Sequence, residues 1–227
     1  MGPVVLGGLT EVPRARLVGW AILVGAFAAI SYAANIAGGE PPDDVLYQWA
    51  TAVGALVQYA IIFAIALALA RGIAPASLGL RRPDSWLRAA GLILLALLGI
   101  WILGAILNVF LKAGEEQGLV PDGWDSSRAA PFAANFVVVA LVAPVVEEFT
   151  YRGLGYAGVA HAYGAVAAIV VTALAFGLAH GLVVALPVLS IFGAILAWLR
   201  HRTASIYPSI ILHAIFNGAA LIAAVAT

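Results

Sequence analysis

Cysteine is absent from the 227-residue chain. That absence excludes a disulfide framework, a thiolate nucleophile, Cys-ligated zinc and an iron–sulfur cluster, so any chemistry must use oxygen and nitrogen groups. Charge is also scarce: 11 Lys+Arg and 11 Asp+Glu make up 10% of the residues and cancel to a formal net charge of zero, against about 25% charged in an ordinary soluble domain. So few charges cannot cover a soluble surface, and the zero balance offers no basic face, which sets nucleic-acid binding aside. Apolar residues, by contrast, reach 64% with a mean hydropathy of +1.06. This is the composition of an integral membrane protein.

A bilayer core of ~30 Å asks for about 20 apolar residues per helix. Runs that approach this length fall at 17–37, 47–70, 89–111, 129–146, 165–179, 182–199 and 206–226. The expected fold is therefore all-α, a polytopic transmembrane helix bundle of about seven (six to eight) spanning helices in a single domain over 1–227. The connections alternate in sign. Arg14 and Arg16 precede the first span, whereas Glu40, Asp43 and Asp44 follow it; Arg71, Arg81, Arg82 and Arg88 surround the second connection, and Arg200 and Arg202 mark the sixth. By the positive-inside rule the amino terminus is predicted cytoplasmic, in a multi-pass protein of the cell membrane whose first partner is lipid. The Glu115-Glu116 pair falls in a Gly-, Pro- and Asp-containing connection and reads as solvated.

The fourth apolar run meets Glu147 and Glu148 with no turn signal, and Arg152 follows. Each charged residue near the middle of a spanning helix costs about 2.5 to 3.5 kcal/mol on insertion scales, so the three together represent roughly 7 to 10 kcal/mol before pairing. Glu148 and Arg152 stand at i and i+4 with the acid amino-terminal, the favourable order for an ion pair. Glu147 projects about 100° away and is left as the carboxylate without a dedicated partner, hence the better candidate for acid/base work. Pro144 removes a backbone donor and clashes with the carbonyl of Ala140, so the helix is expected to bend or open beside the pair. The alternative is a structural buried ion pair next to a protonated glutamate.

Other polar groups stand at matching depths. With Tyr163 as the bend between the fourth and fifth helices, Glu147 lies 16 residues before it and His180 lies 17 after, so both stand about 24 to 26 Å up an antiparallel hairpin at ~1.5 Å per residue. His180 is either an interface histidine at a helix end or a member of a site with Glu147. His213 and Asn217, at i and i+4, share one face of the last span. They offer a switchable base and an amide donor, or interhelical polar glue. His161 and His201 fall at predicted turns and read as solvated.

These residues carry a family resemblance. Glu147-Glu148-Phe149-Thr150-Tyr151-Arg152-Gly153 resembles the EExxxR motif of the CAAX protease and bacteriocin-processing (CPBP, or Abi) family of intramembrane proteases. Phe176-Gly177-Leu178-Ala179-His180 is similar to its FxxxH motif, and His213-Ala214-Ile215-Phe216-Asn217 to HxxxN. The three patterns occur in order across 129–220, the candidate catalytic core; Tyr151 stands where many members have Phe. The resemblance implies an intramembrane endopeptidase of type II CAAX prenyl endopeptidase kind. Glu147 would be the general base that activates water, His180 would help hold that water, and His213 with Asn217 would stabilise the tetrahedral oxyanion. Glu148 and Arg152 would be supporting residues. The implied partner is a peptide or lipid-modified peptide.

Two chemistries remain open. Glu147, His180 and His213 also form a two-histidine, one-carboxylate set of the kind used by catalytic zinc, but there is no HExxH pair, and a zinc-bound Glu147 would leave only the paired Glu148 as a base. A metal-free glutamate mechanism with no cofactor is the favoured expectation and zinc the alternative. Among functions, a proton- or ion-coupled transporter would also use buried carboxylates and histidines, although no inverted repeat is visible. A non-catalytic membrane partner, such as an immunity protein, would keep the polar cluster for packing.

Overall fold

The computed structural model describes residues 12–38, 44–111 and 123–226. The Glu115-Glu116 pair and the acids Glu40 and Asp43 lie outside them. The described residues form helices α1 (Arg14–Gly38), α2 (Trp49–Ala70), α3 (Trp86–Leu111), α4 (Ala129–Val137), α5 (Ala143–Glu148), α6 (Tyr156–Ala179), α7 (Leu186–Thr203) and α8 (Tyr207–Val225). Wide π-helical stretches, Val138–Val142 and Phe149–Gly155, join α4 to α5 and α5 to α6, so one rod runs from Ala129 into α6. The opening expected at Pro144 takes this form: Pro144 sits in the first turn of α5, and the π stretch directly before it accommodates the missing donor and the crowded carbonyl.

The rod doubles back at Gly164, whose φ of 86° and ψ of 169° break α6. Without a Cβ, glycine adopts this conformation at no steric cost. The reversal is plain from Tyr151 and Phe176, whose ring centroids are 5.4 Å apart; 25 residues of straight helix would separate them by about 37 Å. Five helices among the described residues are long and apolar enough to cross a membrane: α1, α2, Trp86–Leu107 of α3, the run Ser126–Ala179, and α8. Because Ser126–Ala179 folds at Gly164, these elements and α7 supply seven helical arms, and the fold is the expected polytopic all-α bundle. The sixth arm is displaced from 182–199. Gly181 has φ 69° and Pro187 sits in the first turn of α7, so Leu182, Val183 and Val184, apolar enough to read as span, belong to a turn.

Small residues bring the arms together. A Cβ on Gly193 of α7 would lie 3.1 Å from Ala173, and one on Gly177 would meet Ser190 and Leu186, which sets α7 antiparallel to the second arm of α6. Trp20 of α1 lies across Gly155, where a Cβ would come 2.5 Å from its ring, and donates its indole N–H to the Thr150 carbonyl at 3.0 Å. α8 crosses the first arm, with Gly218 against Phe136. At the arginine-rich end, Arg16 reaches the carbonyls of Ala68 and Arg71 at 3.4 Å. Buried Arg200 donates to the carbonyls of Ser77 and Arg152. The opposite end is closed by Arg128, which pairs with Asp44 at 2.7 Å and Asp125 at 2.6 Å.

Candidate active site

Glu147 and Glu148 end α5, just before the second π stretch, and this position decides their surroundings. Glu148 and Arg152 are fully buried, with Arg152 Nη1 3.2 Å from Glu148 Oε1. The guanidinium also donates to the Gly193 carbonyl at 2.9 Å and lies 4.5 Å over the Phe176 ring. The acid-before-base pair read from the sequence is therefore formed, and it cross-links three arms of the bundle.

His213 bridges the two glutamates. Its Nδ1 is 2.9 Å from Glu148 Oε1 and its Nε2 is 3.7 Å from Glu147 Oε2. A carboxylate can only accept, so Nδ1–H is the donor and Nε2 is the nitrogen turned toward Glu147. Edge contacts with Phe176 and Phe192 hold the ring. Glu148 thus has a second partner that helical spacing did not suggest, and it fixes the tautomer of a candidate catalytic histidine.

Glu147 is not without a partner, which corrects the sequence expectation. The Tyr59 hydroxyl of α2 donates to Glu147 Oε1 at 2.7 Å. Sequence reasoning passed over Tyr59, whose only signal was a phenol in the middle of an apolar span. The two oxygens of Glu147 are therefore differentiated: Oε1 faces α2 and Oε2 faces His213.

Glu147 and His180 line one cavity of about 210 Å³ bordered by α1 and α2, together with Tyr59, Thr150 and Tyr151. The equal-depth argument holds because Gly164 reverses the rod one residue from the assumed bend. His180 Nδ1 donates to the Phe176 carbonyl at 2.8 Å, since a carbonyl only accepts, which leaves Nε2 as its free nitrogen. Asn217 is half-buried and gives one amide N–H to the Val139 carbonyl at 2.9 Å. Val139 belongs to the first π stretch, so this bond ties α8 to the irregular part of the rod; a second amide hydrogen remains on the nitrogen. His161 is exposed as expected, whereas His201, also exposed, bonds the Tyr156 hydroxyl at 2.9 Å.

Among the described residues no three His, Asp or Glu side chains are grouped so as to hold a metal ion. His213 Nδ1 and His180 Nδ1 are committed to Glu148 and Phe176, and the two remaining nitrogens and Glu147 do not make a three-ligand set.

The structure brings Glu147 and His180 to one cavity and turns His213 Nε2 toward Glu147, whereas Asn217 is bonded to Val139 and is not among the residues lining that cavity. Residues 129–219 match the family model described as Type II CAAX prenyl endopeptidase Rce1-like. The CAAX-protease resemblance is thereby shown. No curated protein and no solved structure matches the chain. The matched segment contains all three motifs and both π stretches, while Tyr59 and the cavity wall of α1 and α2 lie outside it.

Proposed function

We propose that the chain is an intramembrane endopeptidase that hydrolyses a peptide bond in a membrane-associated or lipid-modified peptide, without a metal. The observation that carries this reading is the placement of Glu147 on the cavity wall with His180, its second oxygen turned toward His213 Nε2. In this mechanism Glu147 takes a proton from a water in the cavity while His180 Nε2 holds that water against the scissile carbonyl. General-base assistance of this kind contributes about 10²- to 10⁴-fold. The proton that Glu147 takes passes from Oε2 to the facing His213 Nε2, whose N–H, with the second amide hydrogen of Asn217, meets the developing oxyanion; the same proton is delivered to the departing amine as the C–N bond breaks. In a water-poor cavity such donors act at low dielectric. Glu148 and Arg152 act one step removed: the pair sets the His213 tautomer and fixes the turn on which Glu147 stands. The arginine-rich end, with Arg14, Arg16, Arg71, Arg81, Arg82, Arg200 and Arg202, supports a cytoplasmic amino terminus.

The test compares membrane and released peptides of cells carrying the wild-type chain with those of cells carrying Glu147→Gln, after equal insertion is established. A cleavage product that depends on Glu147 is the expected result, and it names the substrate. An unchanged peptidome together with a Glu147-dependent proton or ion flux would replace the protease reading with transport.

A further inference from the structure

The family-matched segment supplies Glu147, but the group that holds Glu147 still comes from outside it. Tyr59 stands ten residues after Trp49, the first residue of α2, or about 15 Å along the helix axis, close to the middle of a ~30 Å bilayer core. Tyrosine in membrane helices ordinarily sits at the interface, where its hydroxyl is wet. A phenol at mid-span needs a protein partner, and here that partner is the candidate general base at 2.7 Å, a distance typical of a hydroxyl bonded to a charged acceptor. The terminal torsion of a glutamate is broad and nearly two-fold, so a carboxylate with no anchored oxygen would swing between cavity and wall. The groups around Glu147 divide by role: His213 faces Oε2 from α8, Tyr151 and His180 line the cavity, and Arg152 is committed to Glu148 and Gly193.

Building on the protease reading, we propose that Tyr59 is a positioning residue for Glu147: its hydroxyl pins Oε1 so that Oε2 is presented to the water and to His213. The catalytic unit then extends beyond the three motifs into the second helix, and the amino-terminal helices take part in the chemistry as well as enclosing the cavity.

Tyr59→Phe removes the donor and keeps the ring. The assay uses full-length protein in lipid-detergent micelles and, as probe, a quenched fluorescent copy of the peptide whose cleavage depends on Glu147 in cells. The expected result is a kcat lower by about 10- to 100-fold, the rate equivalent of one lost hydrogen bond to a charged group, with KM changed by no more than about twofold, as for an interaction realised in the transition state. A second readout needs no turnover: the Glu147 carboxylate stretch, assigned by infrared difference against Glu147→Gln, should move in Tyr59→Phe as the bond to Oε1 is lost. A kcat within about twofold of wild type, or an unmoved carboxylate band, overturns the assignment of Tyr59 alone. Failure of the wild-type protein to cleave any peptide overturns the protease reading, and the positioning role falls with it.

Discussion

Arg152 is the largest fully buried side chain in the described structure, and replacing it with Met removes one partner of a buried charge pair at nearly constant volume. What remains is Glu148, fully buried, with His213 as its one close cationic candidate, and a Gly193 carbonyl that loses its 2.9 Å donor. Breaking such a pair from one side costs about 3–5 kcal/mol, which for a chain of this size lowers the thermal midpoint by roughly 6–20 °C at ~2–4 °C per kcal/mol. The double variant Glu148→Gln/Arg152→Met should recover a substantial part of that loss. The pair is incompletely satisfied, since among the described residues Glu148 Oε2 and Arg152 Nε have no hydrogen-bond partner, so removing it whole relieves two desolvated charges. The amide oxygen introduced by Glu148→Gln would still accept from His213 Nδ1. The six tryptophans report unfolding by intrinsic fluorescence in micelles, and the four-member cycle isolates the coupling, expected at about 1–3 kcal/mol. An Arg152→Met protein within about 1 kcal/mol of wild type would refute the reasoning, given what an unpaired buried charge costs. So would a double variant as unstable as the sum of the singles.

Two further outcomes follow from other parts of the bundle. Gly155→Ala places a methyl 2.5 Å from the Trp20 ring and should destabilise by about 1–3 kcal/mol through overpacking; adding Trp20→Phe should restore part of the stability, and an additive loss in thermal unfolding would show that the contact is not tight. At the acidic end, Asp125 is held at a pKa of about 2 by the Ser127 hydroxyl and the Arg128 guanidinium, and Asp44 is lowered by Gln48 and Arg128. A depressed carboxylate stabilises above its unfolded value and loses that contribution as pH falls through the folded one. The thermal midpoint of Asp125→Asn should therefore lie below wild type at neutral pH, and the gap should close as pH drops from above about 4, the unperturbed Asp range, toward 2; a gap independent of pH would contradict the charged network.

How much of the site could be read from the chain depends on how local each relation is. The Glu148–Arg152 pair lies within one turn, and helical spacing was enough to anticipate it. Glu147 and His180 are 33 residues apart, but two nearly equal arms around one bend put them at the same depth, so arithmetic sufficed with the bend taken at Tyr163, one residue from the reversal at Gly164. Helical spacing put His213 and Asn217 on a common face without saying what that face meets. One bonds Glu148, 65 residues away, and the other the Val139 carbonyl, 78 residues away. Tyr59 was invisible because its partner is 88 residues distant.

By itself, then, the sequence determined that the chain lives in a membrane, that it folds as a bundle of about seven helical arms, and which residues of 129–220 carry the motifs. The first two follow from composition and run length, properties of a chain's local order, and the third from the motifs' resemblance to those of a known family. Tertiary structure decided that Glu148 is shared between Arg152 and His213, that the rod widens into π stretches around Pro144 and the glutamates, and that α2 delivers a phenol to Glu147. Periodicity defines the faces of each helix, but packing decides which faces meet. In this bundle Gly155, Gly177 and Gly193 are among the residues whose missing Cβ atoms let particular arms touch.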